Sequence, residues 1–110
     1  MLPPQAPDWE RSAVAWLFDH CPPDYRAHEV LRRHPLVLAR FAAGHIASAV
    51  EAARQGIRTT RADLSSVVPP DVVEAALVAY DREGRRLVAL GREVALVDAA
   101  LRGERHTPRL

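Results

Sequence analysis

Lysine and asparagine are absent from this sequence, and cysteine occurs once, at Cys21. A single cysteine excludes an internal disulfide and a cysteine-rich zinc site, and it suits a reducing compartment. No run approaches the roughly 18 uncharged apolar residues that cross a bilayer. The first seven residues also lack the basic and then apolar order of a signal peptide. These features predict a cytoplasmic protein with no membrane partner.

A strong charge of either sign is missing as well. All 15 basic residues are arginine, which indicates a coding bias more than selection for guanidinium chemistry, and the formal net charge is only +1. Residues 20–62 are mildly basic, with seven arginines against three acidic residues. The molecule as a whole therefore has no field that would by itself attract nucleic acid or an acidic membrane.

Strand-like alternation of β-branched residues and internal repeats are also missing, whereas apolar residues recur at helical spacing along most of the chain. With 110 residues and 48% hydrophobic residues, the chain suits one folded domain over 1–110. The sequence therefore predicts an all-α protein, a small helical bundle of about five helices. We expect a loose leader at 1–7 and a loose tail at 103–110.

Capping aspartates, prolines and a glycine predict where the helices begin and end. Asp8 is a candidate cap for a first helix that Pro22 and Pro23 end, and Asp24 caps a brief second helix up to Pro35. Pro35 suits the first position of a long apolar central helix, about 35–55, which closes on Gly56 as a left-handed cap. The width of its apolar face, to which we assign Phe41, places this helix in the middle of the bundle.

Two capping-box patterns follow. Thr60 and Asp63 predict a further short helix, and Asp71 and Glu74 begin the longest one, about 71–101, which Gly103 stops. We expect this C-terminal helix to pack against the central helix.

Apolar residues recur every seven positions along the C-terminal helix, which is typical of a coiled-coil contact. At 31 residues the helix spans roughly 46 Å, more than the roughly 34 Å diameter of a compact domain of this length. We therefore expect its far end to expose apolar residues unless a second copy covers them. The predicted interface, called here the C-terminal seam, comprises Val73, Tyr80, Gly84, Leu87, Leu90, Gly91, Val94, Val97 and Leu101. An elongated monomer that covers the seam internally is the alternative.

Metal-competent side chains cluster early in the chain, at His20, Cys21, Asp24, His28 and His34. The spacing argues against a metal site, because the two histidines of a helical zinc motif stand four residues apart, whereas His28 and His34 stand six apart. We therefore predict no metal and no cofactor. His45 lies within the apolar face of the central helix and is predicted to be a buried, hydrogen-bonded core residue.

Catalytic signatures are scarce. Nucleophiles are present by residue type only, and none stands in a nucleophile elbow or a glycine-rich phosphate cradle. We therefore predict that the protein is not an enzyme. The candidate nucleophiles are Cys21, Ser12, Ser48, Ser65 and Ser66.

A basic patch of Arg26, Arg32, Arg33 and Arg40 is the candidate nucleic-acid site, because phosphate contacts use arginine. Aromatic residues for base stacking are few there, and the apolar central helix is unlike a recognition helix.

The preferred hypothesis is a non-catalytic interaction or regulatory module that self-associates as a dimer through its C-terminal helix or binds a helical protein. A small DNA-associated regulator is the alternative, followed by a metal or small-ligand binder that uses the histidines.

Overall fold

The computed structural model describes residues 7–103, and these are all-α, with no strand among them. Four α-helices follow one another along the chain: α1 (Trp9–Asp19), α2 (Glu29–Arg33), α3 (Pro35–Leu64) and α4 (Pro70–Leu101). A short 3-10 helix, Pro23–Ala27, precedes α2. The all-α prediction is confirmed, and the predicted five helices are corrected to four. The expected leader and tail fall mostly on residues 1–6 and 104–110, which lie outside the described part.

Prolines and glycine define several boundaries as predicted. His34 is extended because it precedes Pro35, which starts α3, and the His34 carbonyl accepts hydrogen bonds from the first turn of that helix. After the C-terminal end of α4, Gly103 has a positive φ of 80°, two residues past Leu101. The predicted start of α4 is one residue late, because Pro70 rather than Asp71 is its first residue.

Two local predictions are wrong. Gly56 does not end α3, which continues to Leu64 and absorbs the short helix predicted at Thr60. Asp24 lies within the 3-10 helix and does not cap α2, which instead follows the extended residue His28. The tertiary contacts of α3 beyond Gly56 outweigh the roughly 1 kcal/mol by which glycine disfavours a helix interior relative to alanine.

The chain divides into two compact units, Met1–His45 with Arg92–Leu110, and Ile46–Gly91. In the first unit, each α-helix contributes one of the four largest fully buried side chains: Leu17 from α1, Leu31 from α2, Leu38 from α3 and Val94 from α4. Trp9, Ala13 and Phe18 of α1 add to this core. One hydrophobic core therefore joins the two short α-helices, α1 and α2, to the first part of α3 and the last part of α4.

The second unit is a helical hairpin. The C-terminal part of α3 and the N-terminal part of α4 run antiparallel and are joined by a turn at residues 65–69. Gly91 lies beside Ile46, Gly84 beside Ala53, and Arg61 pairs with Glu74 at 2.6 Å. These pairs define one constant register along the hairpin. The prediction that the C-terminal helix packs against the central one is thus confirmed.

By length and composition alone, α3 is the one helix of the described part that is apolar enough to cross a membrane, a criterion that core helices of soluble proteins also meet.

Candidate interaction surfaces

The C-terminal seam lies on one continuous helix, as predicted, since neither Gly84 nor Gly91 interrupts α4. Most of the seam is nevertheless covered by the chain itself. The expected overhang is absent: Val94 is fully buried and Val97 is 5% exposed within a single chain. Val73, Leu87 and Leu90 are also buried, Gly84, Gly91 and Leu101 are half-buried, and Tyr80 is 39% exposed.

A second copy could reach the buried seam residues only by displacing the parts of the same chain that cover them. The two seam glycines likewise contact the same chain. A Cβ added to Gly84 would meet the Ala53 Cβ at 3.7 Å, and one added to Gly91 would meet Ile46 at 3.5 Å. Both distances are ordinary contacts. The seam therefore joins α4 to its own chain, and self-association remains a prediction that needs another surface.

The hairpin of residues 46–91 has a much thinner core than the first unit. Twelve residues of the first unit are buried, including the aromatic side chains of Trp9 and Phe18, whereas the hairpin buries six, none of them aromatic. These six are Ile46, Ala53, Thr60, Val73, Leu87 and Leu90. Two helices alone have a single contact line to bury apolar groups, so their outer sides stay open to a further layer.

One of those sides carries a line of apolar residues. The ion pair of Arg61 and Glu74 lies on it. On each helix, residues that stand three, four, seven, eleven or fourteen positions from Arg61 or Glu74 lie on the same face as that residue. On α3 the apolar residues with this spacing include Ile57 and Val50, and on α4 they include Leu77 and Val88. Leu64 and the exposed Val78 also have it. We call Val50, Ile57, Leu77 and Val88 the hairpin stripe.

The hairpin stripe is accessible to a partner. Ile57 is 41% exposed and Val88 is 36% exposed, while Val50 and Leu77 are half-buried. The sequence alone does not reveal the stripe, because Gly56 is predicted to end the central helix and Ile57 then falls outside it. The helical spacing of Val50, Ile57 and Leu64 across Gly56 was the signal that a longer helix was present.

The candidate nucleic-acid patch is largely paired within the chain. Arg26 contacts Asp19 at 3.0 Å and lies over the Phe18 ring, and Arg32 and Arg33 both pair with Glu29. All of these ion pairs are exposed and contribute at most about 1 kcal/mol each. Arg40 is exposed and has no carboxylate partner among the described residues. The patch thus presents much less net positive charge than four arginines would.

A surface cleft of about 440 Å³ lies in the first unit. Three arginines line it together with two carboxylates, so it has nearly balanced charge and no clear preference for an anion. The lining residues are Pro7, Asp8, Glu10, Arg11, Val14, Arg32, Arg33 and Pro35.

The histidines do not converge. Among residues 7–103, no three histidine, cysteine, aspartate or glutamate side chains come close enough to hold a metal ion. His20 instead stacks against Trp16, with ring centroids 4.7 Å apart. The absence of bound metal in the purified protein remains a prediction.

His45 is half-buried, and the prediction of a buried, hydrogen-bonded histidine is wrong. Its ring meets the edge of Tyr25 at 6.2 Å, and Tyr25 also contacts Phe41 at 5.9 Å. Phe41 is 46% exposed, not inward-facing as predicted. These three rings form a small aromatic cluster at the surface of the first unit.

Cys21 is the one candidate nucleophile with a resolved pKa shift. Burial raises the pKa of its thiol above the ordinary value, and the positive charge of Arg26 partly offsets this. Reactive cysteines have the opposite shift, because the thiolate is the nucleophile. Cys21 is therefore suited to packing rather than to covalent chemistry.

Comparison with known proteins gives no match, whether with family models, curated proteins or solved structures.

Proposed function

We propose that this chain is a non-catalytic helical interaction module of the cytoplasm that associates with a second copy of itself through its helical hairpin. The observation that carries the proposal is the thin core of residues 46–91 beside the exposed hairpin stripe. Helical hairpins with one open apolar side reach a complete core when a second pair of helices covers that side. The C-terminal helix α4 supplies half of this surface.

A binding role agrees better with the chemistry of the described residues than catalysis does. Nucleophilic and acid–base catalysis require a nucleophile and a base within hydrogen-bonding reach of each other. The pKa of the Cys21 thiol is raised, and His20 and His45 contact aromatic rings. These features support an interaction role.

The DNA-associated alternative receives less support. Phosphate binding needs cationic side chains that displace the counterions of the nucleic acid. Three of the four arginines proposed for this role form ion pairs with Asp19 or Glu29. A mobility shift with random duplex DNA that weakens steeply with salt would favour this alternative over the dimer. Elemental analysis of the purified protein tests the histidine-based alternative in the same preparation.

Sedimentation velocity of the full chain, from low micromolar to millimolar concentration, tests the proposal. A reversible monomer–dimer equilibrium in that range is the expected result. A monomer throughout the range, with no heavier species at millimolar concentration, would overturn the proposed self-association.

A further inference from the structure

From the geometry of the hairpin we infer that the second copy packs on the hairpin stripe, with the twofold axis parallel to the helices, so that two hairpins complete a four-helix bundle. The inference rests on the proposed self-association and names its surface and its symmetry. Val50, Ile57, Leu77 and Val88 form the apolar centre of this contact, and charged residues of α3 and α4 form its two rims.

The charges of the two rims differ in sign near the hairpin turn. Arg61 and Arg54 stand seven residues apart on α3, and Glu74 and Asp81 stand seven apart on α4. Because the helices run antiparallel and Arg61 touches Glu74, Arg54 and Asp81 also lie at one height along the hairpin. Each rim also carries a counter-charge, because Glu51 pairs with Arg54 and Arg58 on α3 and Arg85 pairs with Asp81 on α4. With three arginines against one glutamate on α3, and two carboxylates against one arginine on α4, the α3 rim keeps a net positive charge and the α4 rim a net negative one.

This charge pattern selects one symmetry. A twofold axis parallel to the helices places α4 of each copy over α3 of the other and preserves height, so Arg61 faces the partner's Glu74 and Arg54 faces the partner's Asp81. An axis that places α3 over the partner's α3 would instead bring the two arginine rims together. Opposite charges across a contact favour the correct partner and orientation, whereas like charges are costly. The parallel axis is thus the favoured arrangement.

The available area suits a weak dimer. Residues 46–64 of α3 form about 27 Å of helix, and two helices of about 10 Å diameter give a face of about 500 Å² per copy. The total of about 1,000 Å² is at the lower limit for a specific interface. We therefore expect dissociation in the micromolar range or above, with no permanent dimer.

Substitution of Val88 provides the first test, because the same helix offers a matched control. Val88 and Val72 are both partly exposed valines of α4 within the hairpin, at 36% and 43% exposure. Their separation of sixteen residues places them on roughly opposite helix faces, about 160° apart. Val88→Asp should weaken dimerisation at least about tenfold, and Val72→Asp should leave it within about twofold.

Circular dichroism of both variants shows whether each remains helical, and Ile57→Asp gives a second stripe variant on α3. A dimer that Val88→Asp and Ile57→Asp leave intact would overturn the stripe while leaving the proposed self-association in place. A wild-type chain that stays monomeric would instead overturn both.

Reversal of a charge on one rim provides the second test and leaves the apolar residues of the hairpin stripe unchanged. Arg61→Glu gives a chain that is acidic on both rims at this height, and Glu74→Arg gives one that is basic on both. Each variant alone should dimerise more weakly than the wild type at low salt. An equimolar mixture should form a heterodimer, because each acidic rim then faces a basic one.

The mixture separates contacts between chains from the ion pair within a chain, since both variants have lost that internal pair. Native mass spectrometry distinguishes the heterodimer from either homodimer by mass. Failure of the mixture to associate more strongly than the separate variants would refute the parallel twofold arrangement.

Discussion

Tyr80 lies across Gly56, so closely that a Cβ added to Gly56 would stand 2.5 Å from Cζ and 2.6 Å from Cδ1 of the tyrosine ring. A contact this short does not occur between real side chains, so any other residue at position 56 must displace the ring. Gly56 therefore leaves the space that the Tyr80 ring occupies, although it stands inside a helix.

Gly44→Ala is expected to stabilise the fold, whereas Gly56→Ala is expected to leave its stability unchanged or to lower it. Alanine is favoured over glycine inside a helix by about 1 kcal/mol, and at Gly44 nothing lies within 4 Å of an added Cβ. At Gly56 the clash with Tyr80 adds an overpacking cost of about 1–3 kcal/mol, which should cancel or exceed that gain. Urea denaturation of both variants measures the difference.

The Tyr80→Ala background isolates the cause. There Gly56→Ala should become stabilising, because the ring that opposes the methyl group is gone. If Gly56→Ala stabilises the wild-type chain as much as Gly44→Ala does, the contact with Tyr80 has no energetic consequence.

Gly56 also shows why some helix ends could be predicted from the sequence and others could not. Pro35 and Gly103 act locally, since a proline restricts the residue before it and a glycine adopts a positive φ, and both were identified from the sequence. At Gly56 the local signal for a helix end competes with contacts made by residues far along the chain, since Tyr80 lies against Gly56 itself and Glu74 pairs with Arg61 after it. Contacts between distant residues cannot be deduced from one local pattern.

The seven-residue spacing correctly predicted that α4 is continuous, but the end of the seam that we expected to be exposed is buried within one chain, including Val94. The same spacing could not show which helix covers the seam, because α3 of the same chain and α4 of a second copy would both satisfy it. The hairpin stripe was missed for a related reason: its residues come from two helices and form a surface only once their register is known.

Leu38 and Leu96 provide a test of the core of the first unit. Leu38 is fully buried, whereas Leu96 is 71% exposed. Leu38→Ala should cost about 2–5 kcal/mol, the usual range for removing a buried leucine side chain. Leu96→Ala should change the free energy of unfolding by no more than about 0.5 kcal/mol. Comparable losses in thermal or chemical denaturation would contradict the assigned core.

Glu83 should titrate below the ordinary range of a glutamate. A hydrogen bond from Arg86, at 2.6 Å, lowers the pKa of this carboxyl group. A folded-state pKa below the unfolded value contributes stability above the unfolded pKa, and this is lost as the pH falls through the folded pKa. In Arg86→Ala the pKa of Glu83 should rise towards its ordinary value, as NMR titration of the carboxyl carbon can measure. An unchanged titration would show that the pair is not formed in solution.

Cys21 should react slowly with thiol reagents while the protein is folded. Burial raises the pKa of its thiol, so the reactive thiolate is scarcer than in an exposed cysteine, and the side chain is also shielded. Alkylation by iodoacetamide near neutral pH should therefore be much slower than in the urea-unfolded chain, and the alkylation rate of the folded chain should rise with pH.

Arg26→Ala should raise the pKa of the Cys21 thiol further, because the positive charge of Arg26 lowers it, and should move the pH–rate profile to higher pH. Arg85→Ala removes an arginine from the other unit and serves as the control, with no expected effect on that profile. Equal alkylation rates for the folded and unfolded chains would show that the thiol is accessible and that burial does not control its reactivity.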